Sequence, residues 1–124
     1  ELRRWNPKAW ARAYFADGLK QLSLNGTQAL PSRAGTDFFF LDPFGDVYPS
    51  VVHAVIMGSI KEVKTFEALW SSPAAHEARA FVATHAHPYW MMCTARTAIK
   101  RNAARVIAWI IRAKLRTLVR RRVT

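Results

Sequence analysis

The chain has 124 residues, of which 51% are hydrophobic, and a formal net charge of +11 at neutral pH. A chain of this size buries about two thirds of its unfolded surface, which is enough for one modest core and makes one domain the default. A single cysteine excludes an intramolecular disulfide framework. No secretory signal is recognisable, and no apolar run approaches the roughly 20 residues of a transmembrane helix, so we expect a cytoplasmic protein.

The positive charge is concentrated near the C-terminal end. The first 94 residues contain nine lysines and arginines and eight acids, whereas ten lysines and arginines and no acid follow Thr94. The basicity therefore belongs to one segment, and it does not indicate that a folded core binds nucleic acid.

The N-terminal part of the chain predicts an amphipathic helix. Asn6 is a favourable N-cap, Pro7 fits the first helical position, and Asn25 with Gly26 predicts the end of the helix. Between these limits apolar residues recur at helical spacing: Trp10, Ala11, Tyr14, Phe15, Leu19 and Leu22.

The next part predicts a β-hairpin. Residues 36–42 are rich in aromatic side chains and predict a strand, residues 43–46 contain proline and glycine and predict a turn, and residues 47–52 predict the returning strand. The two strands place Ser32 and Ser50 at opposite ends of one hairpin, where their side chains could reach a shared site.

Helical segments follow the hairpin. Thr65 is expected to cap a short helix through Trp70, and Ser72 with Pro73 opens a second one. From Thr94 the pattern is helical again, and arginines surround a stripe of apolar residues: Ile99, Ala103, Val106, Ile107, Ile110, Ile111, Leu115, Leu118 and Val119. The predicted fold is a small α+β domain with a leading helix, a β-hairpin, short helices and a long basic amphipathic C-terminal helix.

Four passages are informative because of their order along the chain. Ser32 and Ser50 have the spacing of a C-x12-G-x4-C cysteine hairpin, with Gly45 in the place of the glycine. The other passages read MGSI at 57–60, FEALWSS at 66–72 and WMMCTART at 90–97. Together they resemble the SPASM or twitch domain, the auxiliary iron–sulfur domain at the C-terminus of many radical S-adenosylmethionine enzymes. The similarity runs from about residue 2 to residue 102.

This resemblance implies a function, a cofactor and a division of the chain. Domains of the family position a peptide or small-molecule substrate and relay electrons through a 4Fe–4S cluster, whereas S-adenosylmethionine binds only in the parent catalytic domain. By the same resemblance, residues 1–26 end that catalytic domain, residues 27–97 form the SPASM/twitch-like domain, and residues 98–124 form the basic amphipathic helix. The implied partners are the parent catalytic domain and a peptide substrate.

Most of the cysteines expected from the family are replaced. Ser32, Ser50 and Tyr89 stand at cluster-ligand positions, Cys93 alone keeps the thiol, and His85 is a candidate for a further position. Thiolate sulfur is a soft donor that binds cluster iron strongly, whereas a hydroxyl group is a hard and neutral ligand. We therefore expect that the cluster is lost. The serines would then cap turns, the tyrosine ring would fill the vacated volume, and the cysteine would be buried as a small apolar residue; a cluster on the remaining ligands is the alternative.

The histidines allow a second kind of metal site. His85, His87 and Cys93 are candidate zinc ligands, to which His53 could be added. The spacing of the first two does not match the H-x3–5-H pattern of structural zinc sites. The alternative is that these histidines are solvent-facing loop residues, with His76 on a helix surface.

The C-terminal helix has three interpretations. It could pack on the rest of the protein through its isoleucine stripe, with the arginines in water. Residues 98–122 could instead lie on an anionic membrane surface, which would place the protein at the membrane periphery. They could also follow the phosphates of a polyanion without reading a nucleic-acid sequence.

Catalytic motifs are absent from the sequence. It has no C-x3-C-x2-C triplet, no glycine-rich phosphate loop and no H-E-x-x-H helix. Asp42 and Asp46 flank a turn, where acids more often bond to neighbouring amides than act as general acid and base. The chain is therefore not expected to be catalytic on its own. Three functions stay open: an accessory domain that has lost its cluster, a cluster-free module that binds a peptide by strand addition at the hairpin edge, and a peripheral binder of anionic surfaces.

Overall fold

A computed structural model describes residues 5–85 and 87–122, except for the side chains of residues 120–122. Within these residues, five helices and a three-stranded antiparallel sheet form a small α+β fold, as the sequence predicts. The elements in chain order are α1 (Pro7–Asn25), β1 (Phe40–Leu41), β2 (Asp46–Tyr48), β3 (Gly58–Ser59), α2 (Phe66–Trp70), α3 (Pro73–Thr84), α4 (Met92–Arg101) and α5 (Ala103–Arg122). No helix in the described part of the chain is both long and apolar enough to cross a membrane.

The chain divides into two compact units. The first, called the helical unit below, comprises the residues up to Pro31 together with those from Pro88 onward, and the second, called the sheet unit, comprises Ser32–His87. These bounds differ from the predicted segments, because the structure packs α1 against α4 and α5 in one unit. That residues 1–26 end a preceding catalytic domain stays a prediction.

Helix α1 begins and ends as predicted. The Asn6 side chain accepts a hydrogen bond from the Lys8 N–H at 2.9 Å, and Gly26 ends the helix in the left-handed conformation with φ of 65°. The helix packs against Trp90, whose ring stacks on Phe15 and donates from Nε1 to the Phe15 carbonyl at 2.9 Å. The buried core of the helical unit consists of Tyr14, Leu30, Trp90, Ala95, Val106 and Ile110.

The predicted single C-terminal helix is two helices in the structure. Helix α4 ends at Arg101 and α5 begins at Ala103, with Asn102 between them at φ of −108° and ψ of 34°. The Asn102 side chain donates to the Ala98 carbonyl at 2.9 Å, and its backbone N–H donates to the same oxygen at 3.0 Å. Local bonding of an asparagine side chain to the backbone competes with regular helix geometry. The predicted long basic C-terminal helix is thus present as α5, and the helical pattern that starts near Thr94 is interrupted once, at Asn102.

The predicted hairpin is present, but both of its strands are shorter than expected. The N–H groups of Phe44 and Asp46 each donate to the Asp42 carboxylate at 2.9 Å, and Gly45 takes a φ of 95° in the turn. The returning strand ends at Tyr48 and not at residue 52, because Pro49 has no N–H to donate to a ladder. A third strand that was not predicted, β3, pairs with β2 on its other side.

The core of the sheet unit is small and depends on one arginine. Its buried residues are Val47, Met57, Leu69, Ala75 and Ala78. Arg79 of α3 donates from Nε to the Gly35 carbonyl at 2.6 Å and from a terminal nitrogen to the Trp70 carbonyl at 2.8 Å. Its guanidinium also lies 4.5 Å from the centre of the Trp70 ring. This side chain ties the loop before the hairpin to the end of α2.

Candidate functional site

The four predicted cluster-ligand positions are divided between the two units. Ser32 and Ser50 belong to the sheet unit, whereas Tyr89 and Cys93 belong to the helical unit. Within the sheet unit, the Gly35 N–H donates to the Pro49 carbonyl at 3.1 Å, so the segment after Ser32 runs beside the residue that precedes Ser50. A metal site shared by all four positions stays a prediction.

The two positions in the helical unit differ in exposure. Tyr89 is buried, and its N–H donates to the Gln28 side chain at 3.2 Å. Cys93 is exposed in the first turn of α4, so the expectation of a buried cysteine is wrong. The physical reason is helical geometry: Cys93 lies two residues before the buried Ala95 and therefore on the opposite side of the helix.

Ser50 and His53 form a buried polar pair in the bend that follows β2. The Ser50 hydroxyl lies 2.7 Å from His53 Nδ1, and the side chains belong to residues that are only 3% and 4% exposed. The Val52 N–H donates to the same hydroxyl oxygen at 3.2 Å, so Ser50 also caps a turn. The hydroxyl can donate its proton to His53 Nδ1 or accept one from it, depending on the tautomer of the ring.

The surroundings of His53 favour the neutral form of its ring. Burial lowers the pKa of His53 below its ordinary value, and the nearby His87, whose ring centre lies 5.8 Å away, lowers it further. A hydrogen bond with the backbone of His85 acts in the opposite direction and raises the pKa. The alternative of a solvent-facing loop histidine is therefore wrong for His53, while His76, His85 and His87 are exposed.

An open cleft of about 280 Å³ lies over this pair. Its walls combine exposed apolar side chains with the Ser50–His53 pair and one carboxylate: Phe40, Asp42, Tyr48, Ser50, Val51, Val52, His53 and Ala54. Burial, followed by the charges of Asp42 and Asp46, raises the pKa of Tyr48, so its phenol stays protonated and can donate a hydrogen bond. The cleft is thus an apolar groove with polar groups at its base.

The polar pair is better suited to binding than to nucleophilic catalysis. A serine nucleophile must reach its substrate, whereas Ser50 is almost completely buried and its oxygen already accepts a backbone hydrogen bond. The pair therefore holds the bend of residues 50–53 in place and shapes the base of the cleft.

The zinc candidates take up different positions. His85 stacks on Phe81 with ring centres 4.1 Å apart, and its Nδ1 lies 2.9 Å from the Thr84 hydroxyl at the end of α3. His87 lies beside His53, while Cys93 belongs to the other unit. Across the residues that the structure describes, no group of three or more His, Cys, Asp or Glu is arranged to hold a metal ion.

Sequence reasoning missed two elements of this site. His53 was predicted as an additional zinc ligand or a solvent-facing loop residue, although the spacing S-x-x-H is short enough for a serine hydroxyl to reach the ring within one turn. Residues Val51 and Val52 were assigned to a strand, whereas they form an exposed wall of the cleft.

Comparisons with protein-family models, curated proteins and solved structures find no match for this chain. The resemblance to the SPASM or twitch family therefore stays a prediction.

Proposed function

We propose that this chain is a cluster-free accessory domain of a radical S-adenosylmethionine enzyme, and that its sheet unit binds an extended peptide at the cleft. The observation that carries the proposal is the edge of β1 beside that cleft. In the part of the chain that the structure describes, β1 stands at the end of the strand order and pairs with β2 on one side. The free side is a template for strand addition.

The hydrogen-bond pattern identifies which backbone groups face the free edge. The Asp42 N–H donates to the Asp46 carbonyl at 3.0 Å, which makes these two residues a hydrogen-bonded pair. In an antiparallel ladder such pairs alternate with non-hydrogen-bonded pairs, and Leu41 opposite Val47 is the next pair along the strands. The N–H and C=O groups of Leu41 therefore point away from β2, toward the side of β1 that carries no other strand within the described residues.

The cleft adds side-chain contacts to this backbone edge. Phe40, Val51 and Val52 are between 38% and 56% exposed, although they line a concave surface. Main-chain bonds supply affinity in strand addition, and pockets for alternate side chains supply specificity. The sheet unit has six acids and four lysines and arginines, and this balance favours a peptide with cationic side chains.

The state of Ser50 supports the cluster-free part of the proposal. Its hydroxyl is committed to His53 and to the Val52 N–H, so using it as an iron ligand would require both bonds to be given up. A hydroxyl is also a poor donor to cluster iron. The family itself is proposed from the four sequence passages.

Peptide titration tests the binding part. Blocked hexapeptides of alternating valine and lysine are added to the full chain, and the amide chemical shifts are followed by NMR. We expect the largest shifts at Leu41 and at residues 50–54, and weaker binding of the corresponding valine and glutamate peptides.

Val51→Ala should weaken binding about fivefold, because it removes apolar contact from the cleft. Ile56→Ala, at a residue that is 49% exposed outside the cleft, is the matched control. Shifts confined to other residues would contradict the proposal.

Restoring the thiols tests the family part. The triple variant Ser32→Cys, Ser50→Cys and Tyr89→Cys carries four cysteines at the family positions, including Cys93. After anaerobic reconstitution with ferrous iron and sulfide, we expect bound iron and sulfide in equal amounts and a visible charge-transfer absorption. The parent chain and a control with Ser59→Cys, Ser71→Cys and Thr84→Cys should bind no cluster. Equal iron binding by the two triple variants would contradict the resemblance.

A further inference from the structure

Helix α5 has two apolar rows, of which only one is used inside the helical unit. Val106 and Ile110 are buried in the core, with Tyr14 among their neighbours. A second row turns outward, at spacings of four, four and three residues along one side of the helix: Ile107, Ile111, Leu115 and Leu118. These four side chains belong to residues that are 53% to 59% exposed. The predicted isoleucine stripe is therefore only partly a packing surface.

Exposed cations border the outward row. Arg105, Arg112 and Arg116 recur at spacings of seven and four residues, so they form a line along one side of the row, and all three are exposed. The sequence has no acidic residue after Glu77, so no carboxylate of α4 or α5 offsets this charge. The sequence adds further arginines at positions 120–122. An apolar row between cations fits a surface that is apolar below and anionic above.

On the other side of the outward row, a lysine and a tryptophan lie next to each other. Lys114 lies three residues after Ile111 and four before Leu118, so it is next to the outward row. Its ammonium group is 4.3 Å from the centre of the Trp5 ring, and Trp5 is 87% exposed. An exposed tryptophan beside a lysine is typical of the boundary between lipid headgroups and acyl chains, because the ring is apolar and its N–H is polar.

We propose that the outward face of α5, defined by Ile107, Ile111, Leu115 and Leu118 with its bordering cations, binds the surface of an anionic lipid bilayer. The helix lies parallel to the bilayer, with the aliphatic side chains at the acyl boundary and the arginines on the phosphates. This function is independent of the peptide cleft.

Two other occupants fit the face less well. A second copy of the chain, paired through the same face, would bring two arginine lines together without any acid on α4 or α5 to compensate them. A nucleic acid would contact the arginines through its phosphates but would leave the four aliphatic side chains in water. The anionic bilayer is the surface that uses both parts of the face.

Vesicle binding by the full chain tests the proposal. The probes are vesicles of phosphatidylcholine alone and of phosphatidylcholine mixed with phosphatidylglycerol, and binding is measured by sedimentation and by tryptophan fluorescence. We expect binding to the anionic vesicles, a blue shift that is reduced in Trp5→Phe, and weaker binding as salt is added. Equal affinity for both kinds of vesicle would overturn the proposal.

Paired variants separate the apolar and cationic contributions. Ile111→Ser with Leu115→Ser should weaken anionic vesicle binding about tenfold. Arg112→Gln with Arg116→Gln should weaken it about fivefold for each arginine. The control is Leu19→Ser with Leu24→Ser, at exposed leucines of α1, which should bind as the parent chain does. Circular dichroism checks that every variant keeps its helices.

Three outcomes would overturn the assignment. The first is unchanged vesicle binding by the Ile111→Ser, Leu115→Ser variant. The second is a concentration-dependent dimer in ultracentrifugation that this variant dissociates, which would identify a second copy as the occupant. The third is binding to double-stranded RNA, but not to anionic vesicles, with an affinity that the serine variant keeps.

Discussion

The helical unit and the sheet unit carry opposite charge. The helical unit contains fifteen lysines and arginines and two acids, whereas the sheet unit contains four lysines and arginines and six acids. The overall charge of +11 therefore hides a basic unit and a weakly acidic one. Net charge of opposite sign selects different partners, which is why an anionic lipid surface is proposed for one unit and a cationic peptide for the other.

The two units also differ in what stabilises them. The core of the helical unit is centred on aromatic rings: the Tyr14 ring meets Trp109 and Trp90 edge to face, with ring centres 5.2 and 6.4 Å away. The core of the sheet unit is mostly aliphatic and small, and backbone carbonyls around it are held by Arg79. Substitutions that change the volume of a core side chain should therefore destabilise the helical unit most. Substitutions that remove side-chain hydrogen bonds should destabilise the sheet unit most.

The largest expected effect is that of Gly18→Ala in α1. A Cβ at this position would lie 2.5 Å from Trp90 Nε1, and the ring is held in place by its bond to the Phe15 carbonyl and by stacking. Overpacking costs typically about 1–3 kcal/mol and more in severe cases. A contact of 2.5 Å with a fixed ring is severe, so we expect a net loss of about 3 kcal/mol even after the roughly 1 kcal/mol that alanine gains over glycine in a helix. Urea unfolding should show a clear loss of stability, with hydrogen exchange accelerated in α1.

The control for this variant is Ala16→Ser on the exposed side of the same helix. It should change the free energy of unfolding by less than about 0.5 kcal/mol. A stabilised Gly18→Ala protein would mean that the Trp90 ring moves freely, and the contrast between a shape-dependent and a hydrogen-bond-dependent unit would lose its main support.

The second expected effect is that of Arg79→Met in the sheet unit. The substitution keeps an apolar stem but leaves the carbonyls of Gly35 and Trp70 without these donors, and it removes the guanidinium from the Trp70 ring. Hydrogen bonds from a charged donor contribute about 1.5–3 kcal/mol, so we expect a loss of about 2 kcal/mol. Thermal unfolding monitored by near-ultraviolet circular dichroism measures it.

Arg79→Lys sharpens the same test, because one ammonium cannot reproduce the fork of a guanidinium and should restore less than half of the loss. Lys64→Met is the matched control, at an exposed position of the same unit. Surface substitutions of this kind change the free energy of unfolding by less than about 0.5 kcal/mol. Equal losses for Arg79→Met and Lys64→Met would contradict the bridging role.

Features that depend on neighbouring residues were predictable from the sequence. The start and end of α1 follow from Asn6, Pro7 and Gly26, and the hairpin turn follows from Asp42 and Gly45, because caps and turns are set by local bonds. The strand lengths were overestimated, since aromatic residues suggested a long first strand. In the structure the Phe39 ring contacts Phe66 and Trp70, so it serves packing and not the ladder.

Features that depend on distant contacts were not predictable. Arg79 reaches a carbonyl 44 residues away, and no local pattern indicates such a bond. The break at Asn102 depends on one side chain that competes for one carbonyl. Within the candidate site, the sequence singled out Ser50. Its contact with His53 and the wall of the cleft could not be predicted, because both depend on the bend that follows β2.

The third expected effect is that of Asp42→Ala in the hairpin turn. The Asp42 carboxylate accepts bonds from the N–H groups of Phe44 and Asp46, and we expect the loss of these partly exposed bonds to cost about 1 kcal/mol. Urea unfolding measures the change. Asp42→Asn keeps one acceptor oxygen and should recover part of the loss. If Asp42→Ala left the free energy of unfolding unchanged, the conformation of the turn would depend on Gly45 alone.

The smallest expected effect is a pH dependence of stability that originates at His53. The pKa of His53 is lower in the folded protein than its ordinary value, since burial and His87 disfavour the charged ring. The unfolded chain therefore binds the proton more readily, so the stability contributed by neutral His53 is complete above the unfolded pKa and is lost as the pH falls through the folded pKa. The free energy of unfolding should thus decrease on acidification below the ordinary histidine pKa.

His53→Gln should flatten this dependence, and His76→Gln, at an exposed helix position, should leave it intact. If His53→Gln kept the full acid sensitivity, its origin would lie in groups other than the buried pair, and the polar base of the cleft would contribute little to the stability of the sheet unit.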